Sequence, residues 1–263
     1  MIPKIIHYCW IGNKPLPPLA KKCIASWQRV MPDYEIKRWD ETNYDFKKNK
    51  FMANAYVQKK WGFVPDYARL DIIYNYGGIY LDTDVEVLKT FDEFLKYSAF
   101  CGFESNHFVN FGLGFGAEKG NKVIKQLMKP YETLDFNLTD EIIKQGSLYI
   151  NLPIQEYAKK GLVISPFLQT QNLMEICDLK QKNIRQSLKG VEVFPTSYFC
   201  PKNKYNIPAK TKEAYSVHHF MGSWCPVKVR IKVRIIKFLR PFIGNKNVEK
   251  LFQIKRKVKN FFK

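Results

Sequence analysis

Residues 63–86 read FVPDYARLDIIYNYGGIYLDTDVE, and this stretch is the strongest indication of the chain's fold and chemistry. It joins a helical segment with an Asp-x-x-Arg pattern to a Gly-Gly pair, a short apolar strand and the carboxylates Asp82 and Asp84. On an extended segment, residues i and i+2 point to the same side, so both carboxylates are expected to face one way. Two such carboxylates repel each other unless a cation lies between them. A hard divalent cation that carries a diphosphate would satisfy both.

The Asp-x-Asp pair alone is a weak motif, because a solvated turn explains most occurrences. Its context after an apolar strand and a Gly-Gly pair favours metal–diphosphate binding. We expect Asp84 to bind the cation directly. Asp82 is expected nearer the ribose or sugar hydroxyls, with a water-mediated contact to the metal as a further option.

Asp66 and Arg69 share one face of the helix that precedes the Gly-Gly pair. They could form an ordinary surface ion pair that contributes a few tenths of a kcal/mol. Their position just before the Asp-x-Asp pair favours a functional role instead. In that role Asp66 accepts hydrogen bonds from sugar hydroxyls, and Arg69 balances the carboxylates or a phosphate.

The pattern along the chain predicts an α/β sandwich with a mixed central sheet. Strands are predicted near residues 3–9, 34–39, 79–81, 85–88, 99–103, 108–115, 191–194 and 214–218. Helices are predicted near residues 19–30, 51–60, 66–76, 122–131, 139–144 and 154–160. Gly77 fits a left-handed helix end, and Gly78 allows a close approach to the next strand. The glycines at 112, 114 and 116 lack the G-x-G-x-x-G spacing of a phosphate-binding loop.

The bulk properties fit one α/β domain with an appendage. The chain has 263 residues, of which 46% are hydrophobic, which is enough for a full core. It has no uninterrupted apolar stretch of the length that a spanning helix needs, so no such helix is predicted. The first residues do not show a secretory signal pattern. The six cysteines form no C-x-x-C pair, which predicts free thiols in a reducing cytoplasm.

Most of the positive charge lies at the C-terminal end. Residues 227–263 contain 13 Lys and Arg against the single acid Glu249, and they supply +12 of the net charge of +19. We therefore predict a catalytic domain over 1–226 and a basic tail over 227–263, with the boundary near Cys225-Pro226. The tail begins with a segment that fits either strand or helix, and residues 247–262 fit a basic amphipathic helix. Such a tail suits an anionic surface, either membrane or nucleic acid.

Trp10 and the segment 218–224 extend the candidate site. Trp10 follows the first strand, where it is either a core aromatic or a platform on which a nucleotide base stacks. The segment HHFMGSW at 218–224 places His218 beside His219, and adjacent residues of a strand face opposite sides. At most one of the two is thus expected to bind the metal, and His219 is slightly preferred. Ser223 and Trp224 could close over the diphosphate.

The run PDYARLDIIYNYGGIYLDTD, the opening IPKIIHYCWIG and the closing HHFMGSW together resemble glycosyltransferase family 32. This group of DXD-containing sugar transferases includes fungal initiating mannosyltransferases and bacterial capsule and lipopolysaccharide enzymes. The same pattern is similar to the catalytic core of the large clostridial glucosylating toxins. The resemblance covers about residues 1–100 and 214–225, close to half of the chain.

The resemblance implies a GT-A fold, a nucleoside-diphosphate sugar donor, Mn²⁺ or Mg²⁺, and retention of the anomeric configuration. Trp10 would stack on the base, Asp66 and Arg69 would hold the donor sugar, and Trp224 would touch the diphosphate. The nucleotide-sugar contacts are assigned to Trp10, Ile11, Tyr80, Asp82, Ser223 and Trp224. The metal ligands are assigned to Asp84, His219 and Asp82. The catalytic set is Asp66, Arg69, Asp82 and Asp84.

The resemblance therefore predicts a metal-dependent retaining glycosyltransferase that takes its sugar from a nucleoside-diphosphate sugar, with a UDP-hexose preferred over a guanosine donor. Its acceptor would be a glycan or a lipid-linked molecule in cell-surface polysaccharide synthesis. Many relatives carry a Gly-Pro pair where this chain has Asn151-Leu152-Pro153, so the acceptor's identity does not transfer. Glu104, Asn106 and Asn110 follow a predicted strand and are expected to line the acceptor side.

The basic tail predicts a cytoplasmic protein held at the inner face of the cytoplasmic membrane. An alternative is a peripheral membrane or nucleic-acid-binding protein that acts through its tail and has a degenerate sugar-nucleotide site. Nucleic acid is the less favoured ligand, because no recognition motif accompanies the charge.

Overall fold

A computed structural model describes residues 1–136, 165–202 and 207–222, and some residues between 231 and 244. The strands are β1 Ile5–Cys9, β2 Glu35–Trp39, β3 Gly78–Tyr80, β4 Val85–Val87, β5 Ala99–Gly102, β6 Phe115–Ala117, β7 Gln186–Leu188, β8 Val191–Phe194 and β9 Ser216–His218. Seven of them form one sheet in the order β2-β1-β3-β6-β5-β8-β7, while β4 and β9 form a second, antiparallel sheet. The large sheet is mixed: β1 runs parallel to β2 and β3, whereas β6 is antiparallel to β3 and β5.

The helices of the described residues are α1 Pro18–Val30, α2 Lys50–Val57, α3 Pro65–Tyr76, α4 Lys122–Met128, α5 Pro130–Thr133, α6 Ser165–Cys177 and α7 Thr196–Phe199, with a 3₁₀ turn at Asp92–Phe94. Proline stands in the first turn of α1, α3 and α5, where a missing N–H costs no hydrogen bond. None of these helices has the length and apolarity needed to cross a bilayer.

Alternate residues of the strands pack into two apolar clusters, one on each face of the large sheet. In β3, Ile79 packs into one cluster and Tyr80 into the other, and in β5 Phe100 and Cys101 divide in the same way. The cluster beside α1 is rich in aromatic rings that meet edge to face, such as Phe94 and Phe194 with centroids 4.9 Å apart. Both faces of the sheet are therefore covered, as an α/β protein requires.

The Gly-Gly pair allows helix α3 to turn directly into strand β3. Gly77 has φ 67° and ψ −169°, a conformation that is essentially limited to glycine but is not the left-handed helical one predicted. Gly78 has φ 100°, and a Cβ there would lie 2.7 Å from the carbonyl oxygen of Ile5. The prediction of a close approach at Gly78 is confirmed.

The predicted α/β fold with a mixed central sheet is confirmed, and the parallel strands β1 and β3 lead into the Asp-x-Asp connection. One predicted strand, 108–115, is wrong, because β6 begins at Phe115. Before it, the backbone N–H of Val109 donates to Thr170 Oγ1 and that of Phe111 to Gln169 Oε1, so α6 holds this loop outside the sheet. Helices α6 and α7 and strand β7 are not among the predicted elements, although Ser165-Pro166 followed by apolar residues at 167, 173, 174 and 177 is a helix-start pattern.

Several predictions lie outside the described residues. They include the helices at 139–144 and 154–160, the domain boundary at Cys225-Pro226 and the amphipathic segment 247–262. Between 231 and 244, the described residues 231, 234–236, 238, 239 and 241–244 are helical. At those positions the helical alternative holds rather than the strand.

Candidate active site

Asp82 and Asp84 lie on the connection between β3 of the large sheet and β4 of the small sheet. The N–H of Val85 donates to the carbonyl oxygen of Asp82 at 3.0 Å, and the N–H of Asp82 donates to that of Gly112 at 2.9 Å. The two carboxylates do come together, but through a turn at residues 83 and 84 rather than through the alternation of an extended strand.

The histidine that faces these carboxylates is His218. Strand β9 pairs with β4 so that His218 lies opposite Val85, the residue after Asp84. Its Nε2 is 3.1 Å from Asp84 Oδ1 and 4.0 Å from Asp82 Oδ2. Asp82, Asp84 and His218 each offer one ligand atom, and these atoms all lie within 4.8 Å of one another. This set of carboxylate oxygens and an imidazole nitrogen could hold a divalent cation.

The structure places His219, which the sequence slightly favours as the metal ligand, beside Glu86 and not beside the Asp-x-Asp pair. The Nε2 of His219 lies 3.0 Å from Oε2 of the buried Glu86, which also accepts a hydrogen bond from Lys210 at 2.7 Å. Adjacent residues leave a strand on opposite sides, and the pairing of β9 with β4 turns His218 towards the Asp-x-Asp pair. His219 therefore belongs to an ion-pair cluster around Glu86.

Asp84 is buried and firmly held. Its Oδ1 pairs with His218, and its Oδ2 accepts a hydrogen bond from the backbone N–H of Met221 at 2.7 Å. Burial would raise the pKa of Asp84, but His218 and the Met221 N–H outweigh it and lower that pKa to about 2. The pKa of His218 is raised in turn by Asp84, against the effect of its own burial. Asp84 is thus ionised and fixed in place across the physiological pH range.

Asp66 and Arg69 form a buried pair at the start of α3, so the surface-pair alternative is excluded. Arg69 Nη2 lies 3.1 Å from Asp66 Oδ1 and 3.6 Å from Asp82 Oδ1, and its Nε–H donates to the carbonyl oxygen of Pro65 at 3.0 Å. Burial raises the pKa of Asp66 to about 7, although Arg69 opposes this shift. A buried ion pair adds little to stability, because the cost of removing both charges from water offsets their mutual attraction. The Asp66–Arg69 pair instead places a fixed positive charge beside Asp82.

Gly112 provides the space that Asp82 occupies. A Cβ built on Gly112 would lie 1.9 Å from Asp82 Oδ2 and 3.1 Å from Arg69 Nη1. The glycine is held by a hydrogen bond from its N–H to Asn110 Oδ1 at 2.7 Å. In the sequence Gly112 belongs only to a glycine run without phosphate-loop spacing, and that pattern does not indicate the contact with Asp82.

Trp10 lies just beyond β1, at the same sheet edge as the end of β3, because these two strands are parallel. It is partly exposed, and its Nε1–H donates to the carbonyl oxygen of Lys14 at 2.6 Å. The side chain of Ile11 is buried in the core. Tyr80 is also buried, and Arg69 lies 5.1 Å from the centroid of its ring. The structure thus places Trp10 at the sheet edge that carries the site, and it packs the buried Tyr80 ring against the Arg69 guanidinium.

The remaining predicted positions divide into buried, exposed and undescribed ones. Glu104 is buried at the end of β5, where its Oε2 accepts a hydrogen bond from Asn110, whereas Asn106 is exposed. Ser223 and Trp224 lie outside the described residues. Their contact with a diphosphate stays a prediction, as do the ligand roles of the other site residues.

Comparison with known proteins supports the chemistry of this region. Residues 17–101 match a family described as "Glycosyltransferase sugar-binding region containing DXD motif". This match includes Asp66, Arg69 and the Asp-x-Asp pair. The predicted resemblance to DXD sugar transferases is confirmed.

Two curated relatives carry glycosyltransferase names. Inositol phosphoceramide mannosyltransferase 3 of Schizosaccharomyces pombe is 30% identical over 148 residues, which are 52% of this chain and 39% of the relative. An uncharacterized glycosyltransferase of Acanthamoeba polyphaga mimivirus is 24% identical over 243 residues, 86% of this chain and 85% of the relative. The chain therefore spans well under half of the yeast protein and most of the viral one.

Solved structures with some likeness include PaToxG glycosyltransferase, with a TM-score of 0.44 and 18% identity over 66% of this chain and 69% of that chain. Another is galactosyltransferase LgtC in complex with donor and acceptor sugar analogs, with a TM-score of 0.34 and 14% identity over 74% of each chain. The family match shows that residues 17–101 resemble a glycosyltransferase sugar-binding region with a DXD motif, and both curated relatives are named as glycosyltransferases.

Proposed function

We propose that this chain is a metal-dependent glycosyltransferase that transfers a hexose from a nucleoside-diphosphate sugar with retention of configuration. The observation that carries the proposal is the convergence of Asp82, Asp84 and His218, whose ligand atoms lie within 4.8 Å of one another. Carboxylate oxygens suit Mg²⁺ and Mn²⁺, and an imidazole nitrogen suits the transition metal better. Diphosphate oxygens of the donor would complete the coordination. Mn²⁺ or Mg²⁺ is therefore the proposed cofactor.

The cation, when bound, would neutralise the charge that develops on the departing diphosphate. The chain's own residues contribute by holding charge in place before the reaction. Arg69 is fixed by Asp66 and by the carbonyl oxygen of Pro65, so its positive charge is available beside Asp82 without reorganisation. Met221 holds Asp84 through its N–H. Asp66 is placed to accept hydrogen bonds from donor-sugar hydroxyls, which would orient the sugar.

The proposed donor is a UDP-hexose whose base stacks on Trp10. This proposal is supported by the partly exposed position of Trp10 at the edge where β1 and β3 end. The yeast relative's name specifies mannosyl transfer to inositol phosphoceramide. Because that protein is matched over only 39% of its length, a mannosyl donor is the second candidate. The acceptor would be a glycan or lipid-linked molecule of cell-surface polysaccharide synthesis.

We further propose that residues 1–226 form the catalytic domain and that the tail, 227–263, binds an anionic membrane surface at the cytoplasmic side. Among the described residues, Ile231, Ile235, Phe238 and Phe242 are 52%, 50%, 69% and 74% exposed. Their helical spacing puts them on one face, while the tail carries 13 basic residues. Exposed apolar residues on a basic helix suit the headgroup region of an anionic bilayer.

Co-sedimentation with vesicles tests the tail directly. The full chain should bind phosphatidylglycerol vesicles and not phosphatidylcholine vesicles, and a chain that ends at residue 226 should lose this binding. Unchanged binding of the shortened chain would refute the membrane role. Displacement of the full chain from vesicles by DNA would instead favour nucleic acid as the tail's ligand, since both interactions are electrostatic.

Substitution of Asp84 tests the catalytic proposal. Asp84→Asn keeps an oxygen that can accept from the Met221 N–H but removes the negative charge from the metal site. We expect donor turnover, measured as release of nucleoside diphosphate, to fall at least about 100-fold with little change in the melting temperature. Asp33→Asn, at an exposed carboxylate paired with Lys4, is the matched control and should leave turnover unchanged. Survival of most activity in Asp84→Asn would contradict the proposal.

A further inference from the structure

A buried glutamine of helix α6 links two separate parts of the candidate site. Gln169 is 1% exposed, and both ends of its side-chain amide are hydrogen-bonded. Its Oε1 accepts from the backbone N–H of Phe111 at 3.0 Å, and its Nε2–H donates to Oγ of Ser165 at 2.5 Å. Because a backbone N–H can only donate, the bond from Phe111 fixes which end of the amide faces Ser165.

One end of this link reaches Asp66. Because Ser165 Oγ already accepts from Gln169, its own hydroxyl hydrogen is available for another acceptor. The Asp66 carboxylate is that acceptor: burial raises the pKa of Asp66 to about 7, while Arg69 and a hydrogen bond from Ser165 oppose the shift. Asp66 is therefore held from two sides, by the Arg69 guanidinium at 3.1 Å and by the Ser165 hydroxyl.

The other end of the link reaches Asp82 through the loop that precedes β6. Phe111 is followed by Gly112, whose carbonyl oxygen accepts from the N–H of Asp82 at 2.9 Å. Gly112 also leaves the space that the Asp82 carboxylate occupies, since a Cβ there would lie 1.9 Å from Oδ2. A movement of Phe111 would therefore carry Gly112 with it and change the position available to Asp82.

We propose that Gln169 is a positioning residue that fixes Asp66 and Asp82 relative to each other on either side of Arg69. Arg69 Nη2 lies 3.1 Å from Asp66 Oδ1 and 3.6 Å from Asp82 Oδ1, so the guanidinium attracts both carboxylates without fixing their separation. The hydrogen bonds of the Gln169 amide are directional and restrain both sides. The role of these carboxylates in holding a sugar nucleotide rests on the proposed function, whereas the hydrogen-bonded link does not.

The first test measures amide hydrogen exchange by NMR and needs no substrate. Gln169→Met keeps the approximate length of the side chain and removes both hydrogen bonds. The N–H of Phe111 should then exchange about 10-fold faster than in the wild type, because it loses its acceptor. The N–H of Val109 donates to Thr170 Oγ1 at 3.0 Å and serves as the internal reference, since that bond remains. Unchanged exchange at Phe111, or equal acceleration at Val109, would overturn the proposal.

The second test measures donor turnover well below the melting temperature of each variant, so that only folded protein is compared. Gln169→Met and Ser165→Ala should each lower kcat/KM about 10- to 100-fold, because a misplacement of about 1 Å costs rate on that scale. Asn121→Ala is the matched control, since the Asn121 amide accepts from the N–H of Val123 at 2.9 Å and donates to the carbonyl oxygen of Ser98 at 2.9 Å. This control should lower the melting temperature and leave turnover unchanged. Wild-type turnover in folded Gln169→Met would overturn the proposal.

Two further variants separate positioning from a general structural effect. In a Ser165→Ala background, Gln169→Met should add little to the loss of turnover, because both residues act through one chain of hydrogen bonds; multiplied losses would contradict the proposal.

Gln169→Glu keeps an acceptor for the Phe111 N–H, but its carboxylate cannot donate to Ser165. It should therefore protect the Phe111 N–H from exchange and still lose turnover, and wild-type turnover in this variant would overturn the proposal. If Gln169→Met does not fold, Ser165→Ala and Gln169→Glu decide the proposal in the same way. If the wild type turns over no donor, the proposed function fails, while the exchange rate at Phe111 still decides the hydrogen-bonded link.

Discussion

Replacing Gly112 by alanine should disable the site while leaving the fold almost intact. The new Cβ would lie 1.9 Å from Asp82 Oδ2, and ordinary contact begins at about 3.4 Å, so the carboxylate has to move by about 1.5 Å. Gly112 is not among the glycines with positive φ, so the backbone tolerates alanine. The atom that must move is the end of a partly exposed side chain rather than backbone, which keeps the stability cost small.

A displacement of about 1 Å in a positioning group costs on the order of 100-fold in rate, which corresponds to about 2.7 kcal/mol. We therefore expect Gly112→Ala to lower kcat/KM for donor turnover by about two orders of magnitude. The assay is the release of free nucleoside diphosphate from a panel of UDP- and GDP-hexoses in the presence of Mn²⁺. The melting temperature is recorded on the same samples.

Removal of the clashing partner provides the control. In an Asp82→Ala background the new methyl group no longer meets the carboxylate, so Gly112→Ala should add little to the loss that Asp82→Ala already causes. Wild-type turnover in Gly112→Ala, or a second full 100-fold loss in the double variant, would refute the role assigned to this glycine.

Four further substitutions separate the site from its surroundings. His218→Ala should abolish Mn²⁺-dependent nucleotide binding, whereas His219→Ala should keep it, because His219 contacts Glu86; equal losses would reject the assignment. Gly102→Ala should lower the melting temperature without weakening Mn²⁺ binding by folded protein, since its Cβ would meet the Phe199 ring at 2.6 Å. Asp66 has a folded-state pKa of about 7, above its ordinary value of 3.8, so its contribution to stability is lost as pH rises through 7. Relative to Asp66→Asn, the wild type's free energy of unfolding should fall by up to about 4 kcal/mol between pH 4 and pH 8; parallel urea-denaturation profiles would contradict this.

Local sequence was sufficient for the parts of the site that depend on neighbouring residues. The Gly-Gly pair, the buried strand before Asp82 and the helix that carries Asp66 and Arg69 all follow from patterns within 24 residues. The end of the first strand at Trp10 could be placed in the same way. These features are local, and the structure has them where the sequence analysis expected them.

Two features of the site depend on residues far apart in the chain and could not be predicted from local sequence: the histidine that faces Asp84, and the contact between Gly112 and Asp82. The choice between His218 and His219 depends on the register of β9 against β4, two strands separated by more than 120 residues. A shift of one residue would have turned the other histidine towards Asp84. The contact between Gly112 and Asp82 likewise arises from the path of a loop that α6 holds through Gln169 and Thr170.

Calorimetric titration of the protein with UDP and with GDP, each with and without Mn²⁺, tests the metal–diphosphate site in one experiment. We predict that one of the two nucleotides binds, that the binding requires Mn²⁺, and that Asp84→Asn abolishes it. Failure of both nucleotides to bind folded protein, or binding that is equal without Mn²⁺, would contradict a metal–diphosphate site at Asp82, Asp84 and His218.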